Sequence, residues 1–441
     1  MSHAFRRSLG VFDLTMIVVG AIIGSGIFLT PSMIMRHLGD PSTVIGVWVL
    51  GGLMAIAGAL TFTELAHARP HVGGMYAWLS AAFSPFAGFA YGWCMLLVMN
   101  SGSLAALFTA CVTYLAVFVP MSGPLQKVVA IGLCLSLTVV NILGVKQGSV
   151  VSNLFSLAKI VGLAALILGA LFFAPSSPPP QSVSLPPPGN LIAAVAMAMV
   201  GVLWSYGGWQ YATFPAGEAR RAEWNIPVSI LVGVAIVVLL YIGANLSYLS
   251  VLSPAEIAAE ERVASLTAER IAGRAGAGII SALIAVSTFG TASVYTLAAP
   301  RIYYAMAHDG VFFRSVAILH PRWGTPATAL MIQAGVVCVL ILSGTFEELI
   351  SYVAFIDWVF YALAAASVFV FRRRPQEGGR RFLTPGYPLT PALFILVSIW
   401  FVVYLFYNEP VKSGIGLTIL AASVPAYVLW SRRAGKATSR I

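Results

Sequence analysis

Twelve stretches of the 441-residue chain stay apolar for about 20 residues each, the length an α-helix needs to cross the hydrocarbon core of a bilayer. They lie near 11–36, 43–66, 86–118, 125–144, 151–174, 190–217, 226–251, 276–305, 326–344, 347–371, 389–408 and 412–431. None shows the strict alternation over about ten residues that a membrane barrel strand requires, so all twelve are read as helices. Charged residues make up only 9% of the chain and hydrophobic ones 59%, too little charge to cover a soluble globule. An all-α integral membrane protein with twelve transmembrane helices is expected.

Charge then sets the orientation. The net charge of +10 would point to nucleic acid in a soluble protein, but here it is read by position along the loops and implies no nucleic-acid partner. With both termini on one side, that side receives 18 basic residues, from Arg6 and Arg7 through Arg372, Arg373 and Arg374 to Arg440, and the opposite side receives six. Lys159, inside a span, completes the 25. This asymmetry predicts a multi-pass protein of the cell (inner) membrane with both termini cytoplasmic. The apolar run after Arg7 lacks a cleavage-site pattern, so the first span is expected to be retained. Cys94, Cys111, Cys134 and Cys338 lie inside apolar runs without a C-x-x-C pair, which reads as buried free thiols rather than a disulfide or zinc framework.

Three connections stand out. Residues 175–189, with Pro178-Pro179-Pro180 and Pro186-Pro187-Pro188, form a stiff external linker between spans five and six. The external loop 253–274 carries Glu256, Glu260, Glu261, Arg262, Glu269 and Arg270 at helical spacings and is expected to hold short surface helices. Arg69-Pro70-His71-Val72-Gly73-Gly74-Met75-Tyr76 has the punctuation of a cytoplasmic re-entrant loop.

Within the first span, Ala21-Ile22-Ile23-Gly24-Ser25-Gly26-Ile27-Phe28 interrupts the helix, because glycine is a weak helix former and leaves the backbone open. Trp204-Ser205-Tyr206-Gly207-Gly208-Trp209 does the same in the sixth. One such patch can serve close helix packing alone; two at matching positions predict two structural repeats, each opening with a broken helix, and hence a transporter. Open backbone at membrane depth persists only where protein or a hydrated cavity supplies partners. Free amides at the start of a resumed helix suit a carboxylate, and stray carbonyls suit an ammonium, so a zwitterionic α-amino acid fits both. Ser25 adds a hydroxyl, and Trp204 and Tyr206 add aromatic surface.

These motifs resemble the amino acid–polyamine–organocation superfamily, in particular its bacterial L-amino acid transporter branch. The likeness rests on Gly20 through Phe28, on Gly73-Gly74-Met75-Tyr76 and on Tyr206-Gly207-Gly208-Trp209. It extends to Val140-Asn141-Ile142-Leu143-Gly144-Val145-Lys146 and to Arg301 through Asp309-Gly310, so it spans essentially the whole chain. The resemblance implies a LeuT-like 5+5 inverted repeat: 1–174 for spans one to five, 175–189 as linker, 190–371 for spans six to ten, and 372–441 for two appended helices and a tail. It implies alternating access around a midplane site. By carry-over the substrate contacts are Ile22, Gly24, Ser25, Gly26 and Ile27 for the carboxylate and backbone, and Trp204, Ser205, Tyr206 and Gly207 for the ammonium and the pocket, with Trp204 as an aromatic gate.

A lysine within an apolar helix is a functional candidate by default, although Lys159 could also snorkel to the surface. In sodium-independent relatives a lysine of this span replaces a bound sodium ion; Ser287 and Thr288 are then its expected hydroxyl partners. Asp357, in Phe355-Ile356-Asp357-Trp358, departs from the family pattern, which places a neutral polar residue there. It could favour a cationic substrate side chain, titrate as a proton-coupling group, or sit in a hydrated vestibule. Glu64 and Glu218 are expected to pair with loop arginines.

The expected function is sodium-independent exchange of neutral L-amino acids. An arginine/agmatine-type antiporter of cationic amino acids or amines is the alternative, with Gln210 standing where that class carries an acid; a non-transporting amino-acid receptor is a third. No HExxH pair, Ser-His-Asp grouping or GxxxxGK[ST] loop marks an enzyme, and no cofactor or metal is implied, the histidines lying in or near loops. Animal relatives join a single-pass glycoprotein through an external cysteine after span three; Pro120-Met121-Ser122-Gly123-Pro124 has none, so no disulfide-linked heavy chain is expected. The expected partners are a small-molecule amino acid and the lipid bilayer.

Overall fold

The structure, a computed structural model, describes residues 7–173, 190–343, 346–374 and 382–438; the proline-rich linker expected at 175–189 lies outside them. Helix α1, Val11–Ile22, and helix α2, Gly26–Leu38, make the first span with the break between them. Helix α3, Pro41–Ala68, starts from Asp40, whose carboxylate accepts from the Thr43 amide at 2.8 Å. The segment 69–76, expected to be a re-entrant loop, is a tight turn leading into a short buried helix, α4, Met75–Ala82. Gly73 and Gly74 sit there at φ +88° and +46°, and a Cβ on Gly74 would fall 2.2 Å from Thr213 Oγ1, so the turn requires glycine.

Helix α5, Pro85–Cys94, passes through a five-residue π-helical bulge, Met95–Met99, into α6, Asn100–Leu115. Then come α7, Gly123–Leu143, and α8, Val145–Phe173. Helix α9, Leu191–Tyr206, stops at the second glycine pair and gives way to a 3-10 turn, Trp209–Thr213. Helices α10, Ala222–Val251, and α11, Pro254–Ala259, precede α12, Val263–Ala298, which kinks at Ala272 and Gly273. The remainder is α13, Pro300–His308; α14, Ala327–Ser343; α15, Phe346–Arg373; α16, Leu389–Asn408; and α17, Pro410–Thr438. Among the described residues eleven segments are long and apolar enough to cross a membrane. The ninth expected span, α14, is shorter at 17 residues.

Residues 253–274 do form helix, α11 and the start of α12. Ser253 and Glu256 close a capping box at α11. The Ser253 amide, with its hydroxyl and Arg270, holds the Glu256 carboxyl below the usual range.

Packing runs across the chain rather than along it. Helix α2 lies on α9, α3 on α10, α6 on α12 and α7 on α14, while α12 also covers α8. Spans one and three are 83% buried over their most apolar windows, whereas the last two are only 28% and 22% buried. The protein core is thus built around the first and third spans, and α16 and α17, like α7 and α8, leave most of their surface outside it. Phe62 of α3 gathers Trp78, Trp209, Tyr361 and Phe394 edge-on at 5.7–6.5 Å between ring centroids, tying five elements together.

At the end of the bundle that holds the start of α1, charges are buried in pairs. Arg301 grips Glu218 through Nε and Nη2 at 2.9–3.1 Å, with both side chains at most 1% exposed, and its Nη1 donates to the Leu297 carbonyl. Arg372 holds Glu64 at 2.7 and 2.8 Å, and the Thr384 amide donates to the same carboxylate. Both acids were expected to pair with loop arginines; both partners instead sit on helices, α13 and α15. Leu9 forms a parallel bridge with Ala219, so the segment just before α1 is fastened beside Glu218. Arg301→Ala leaves the Glu218 carboxylate buried and unpaired and should cost about 3–5 kcal/mol. The expected readout is a lowered thermal unfolding midpoint in detergent, with the apolar pair Glu218→Leu/Arg301→Leu recovering most of the loss.

Candidate functional site

The first break opens because the chain turns at Ile23, where φ is −75° and ψ +84°, and the Gly24 amide bonds back to Ile22 O at 2.8 Å. Helical pairing is lost for a full turn, which exposes carbonyls on one side and amides on the other. The carbonyls from Gly20 to Ile23 are engaged. Lys159 Nζ donates to Gly20 O at 2.9 Å and Ile23 O at 2.7 Å, Tyr241 Oη to Ile22 O at 2.9 Å, and Tyr295 Oη approaches Ala21 O at 3.4 Å. The amides of Ser25, Gly26 and Ile27 donate to nothing among the described residues, and the buried Ser25 hydroxyl has no hydrogen-bond partner. A helix N-terminus with free amides is an anion site.

Lys159 is fully buried, so it does not snorkel. Besides the two carbonyls its ammonium donates to Thr291 Oγ1 at 2.6 Å, and Thr291 Oγ1 donates in turn to Ile23 O at 2.9 Å. The hydroxyls expected here were Ser287 and Thr288. Ser287 reaches the Ile23 carbonyl only at 3.4 Å, and Thr288 bonds back to Ile284 and Ala285 of its own helix at 3.0 Å. Thr291 replaces Thr288 because residues four apart share a helix face, so Thr291 stands one turn beyond Ser287.

The second break places Gly207 in extended backbone and Gly208 at φ +126°. It presses directly on the first: a Cβ on Gly208 would lie 2.9 Å from the Ala21 carbonyl, and one on Gly26 would lie 2.9 Å from Ser205 Cα and 2.5 Å from Ser205 Oγ. Tyr241 Oη reaches the Ser205 carbonyl at 3.2 Å as well as Ile22 O, bridging the two breaks.

Between the breaks is a cavity with an empty volume of about 640 Å³, counted to its open mouth. Ile22, Gly24, Ser25 and Gly26 line it from the first break, Trp204, Ser205 and Gly207 from the second, and Asp357 from α15. Two expected contacts lie elsewhere. Ile27 is fully buried behind the break, its carbonyl approached by Tyr248 Oη at 3.4 Å. Tyr206 turns away from the cavity to pack on Trp48 and Tyr241 at 5.7 and 5.1 Å. Lys159, Ser287 and Thr288 sit behind the first break and do not line the cavity.

Sequence reasoning missed Ser103, Ala106 and Leu107 of α6, Thr291 and Tyr295 of α12, and Trp358 and Tyr361 of α15, all of which line the cavity. Thr291 was discoverable as the next turn after Ser287; Tyr361 stands one turn after Asp357. The α6 residues carry no sequence signal, being small or apolar residues in an apolar run. Asp357 is half-buried and makes no hydrogen bond or ion pair among the described residues. No three of His, Cys, Asp or Glu cluster as a metal site among the described residues.

The family described as amino acid permease matches residues 9–429. The chain is 29% identical to the serine/threonine exchanger SteT of Bacillus subtilis, over 98% of each chain. It is 29% identical to the b(0,+)-type amino acid transporter 1 of Mus musculus, over 92% of this chain and 84% of that one. With the large neutral amino acids transporter small subunit 2 of Homo sapiens it shares 30% identity, over 97% and 81%.

The two glycines of the first break are not equivalent. A Cβ on Gly24 meets nothing closer than 3.6 Å, whereas one on Gly26 collides with Ser205. Gly26→Ala should lose about 1–3 kcal/mol through overpacking, and Gly24→Ala well under that, as read by thermal unfolding of the two purified variants in detergent.

Proposed function

The chain belongs to the amino acid permease family, and from that membership we propose that it is a sodium-independent exchanger of neutral L-amino acids that works by alternating access. The observation that carries this reading is the division of the first break: its amides are open to the cavity while its carbonyls are held by Lys159 and hydroxyls. An α-carboxylate suits the amides and the Ser25 hydroxyl, and the α-ammonium suits the carbonyl end of α9. Lys159 supplies a fixed positive charge where a coupling cation would otherwise be needed, which supports transport without sodium. The names of the relatives, an exchanger and a large neutral amino acid transporter, support exchange and neutral substrates.

In this reading the chain has the LeuT-like 5+5 inverted repeat with twelve transmembrane helices and both termini in the cytoplasm of a cell bounded by an inner membrane. The pairing of α2 with α9, α3 with α10, α6 with α12 and α7 with α14 supports it, since each pair joins spans five apart. The boundaries remain 1–174 and 190–371 for the repeats, followed by two appended spans.

One observation favours the cationic alternative: Asp357 lines the cavity without a cation beside it. Counterflow in proteoliposomes loaded with unlabelled amino acid separates the readings. Labelled alanine or leucine should accumulate equally in sodium and in choline buffers; arginine displacing label far better than either would favour the cationic antiporter, and substrate binding without counterflow would mark a receptor. Lys159→Ala should abolish exchange, because it leaves the Gly20 carbonyl unpaired and removes the ammonium that joins Gly20, Ile23 and Thr291; uptake at the wild-type rate would refute that role.

A further inference from the structure

Among the described residues the carboxylate of Asp357 is the one acidic group on the cavity wall, and it is isolated. The ionisable side chains that surround it are Tyr91 from α5, Tyr211 from the 3-10 turn, Tyr295 from α12 and Tyr361 from its own helix. Among the described residues no other ionisable group, from these elements or from α3, α6, α16 and α17, interacts with it. Phenols are neutral at physiological pH, so none balances its charge. Lys159 is turned away behind the first break, its ammonium committed to Gly20, Ile23 and Thr291. Gln210 also contributes to the wall, and its buried Oε1 has no donor. This part of the cavity therefore holds unpaired acceptors, at Asp357 and Gln210, whereas the first break holds free donors.

An unpaired carboxylate enclosed in a membrane protein is costly, and two partners relieve the cost: a proton, or a cation carried by the ligand. We infer that Asp357 exchanges a proton for the side-chain cation of the substrate, so that a neutral amino acid is carried together with one proton and a cationic amino acid is carried without one. The inference rests on the cavity being the substrate site of the exchanger proposed above.

The balance is simple. When a neutral amino acid occupies the cavity, Asp357 carries a proton taken from the aqueous side to which the site is open, and both cross together. After release of the amino acid and the proton, a cationic amino acid pairs with the carboxylate and returns. Exchange of neutral for cationic substrate thus moves one proton against one amino-acid cation and is electroneutral, and exchange of neutral for neutral moves no net proton.

The experiment uses proteoliposomes loaded with labelled arginine and a lumenal pH dye. External alanine should release arginine and acidify the lumen by one proton per arginine, at a rate indifferent to membrane potential. Alanine affinity should rise as pH falls and arginine affinity should rise as pH rises, each by up to about tenfold per pH unit where the carboxyl titrates. Asp357→Asn should weaken arginine competition at least about tenfold and flatten the pH dependence of the alanine exchange that remains. Arginine release without acidification, potential-driven heteroexchange, or a wild-type protein that takes no cationic amino acid at any pH would each overturn the inference. Absence of alanine–alanine counterflow in the wild type would instead overturn the exchanger reading beneath it. The proton and potential measurements are made on the wild type, so they decide the matter even if Asp357→Asn fails to fold.

Discussion

A polar backbone cannot stand open in hydrocarbon, and the first break opens a full turn of it. Its carbonyls are met by side chains from three separate helices: Lys159 of α8, Tyr241 of α10, and Thr291 with Tyr295 of α12. Each bond fixes one of those helices against α1, so the packing of the interior follows from where the broken strand of backbone finds its partners. The amides that follow along the chain, those of Ser25, Gly26 and Ile27, are left to a ligand. One interruption thus sets both the scaffold and the polarity of the cavity.

Much of this was legible because it is local. Apolar runs, glycine breaks and a lysine inside a run are read from a few consecutive residues, and the first span, its break and the unusual status of Lys159 follow directly. What sequence conveys poorly is helix phase and what lies across a gap. Ser287, Thr288 and Thr291 look alike in the string, yet a rotation of about 100° per residue turns Thr288 onto its own backbone and Thr291 onto Lys159. The same rotation takes Tyr206 off the cavity while Trp204 lines it. Ser103 and Leu107 are indistinguishable from other residues of an apolar helix until α6 is seen to form the far wall. Asp357 was visible as an exception, but its isolation depends on which elements face it.

The two ends of the bundle are secured differently. At the end with the start of α1, Glu218–Arg301 and Glu64–Arg372 are buried or nearly so, and Tyr76 Oη donates to Asp309 at 2.8 Å. At the other end the pairs are Glu260–Arg262, Glu256–Arg270 and Glu409–Lys412, all substantially exposed. Exposed pairs contribute little and buried ones are costly to break singly, so the first end is the more firmly fastened, and the Leu9–Ala219 bridge ties the start of α1 to the segment after α9 at that same end.

The distance along the chain between the first break and its partners has a consequence for biogenesis. Ile23 precedes Lys159 by 136 residues and Thr291 by 268. At roughly 5–20 residues per second of synthesis, the first span enters the bilayer about 7–27 s before its lysine exists and about 13–54 s before its threonine does. During that interval its open carbonyls have only water or the insertion machinery as partners. The earliest helix made is therefore among the last to reach its final hydrogen bonding.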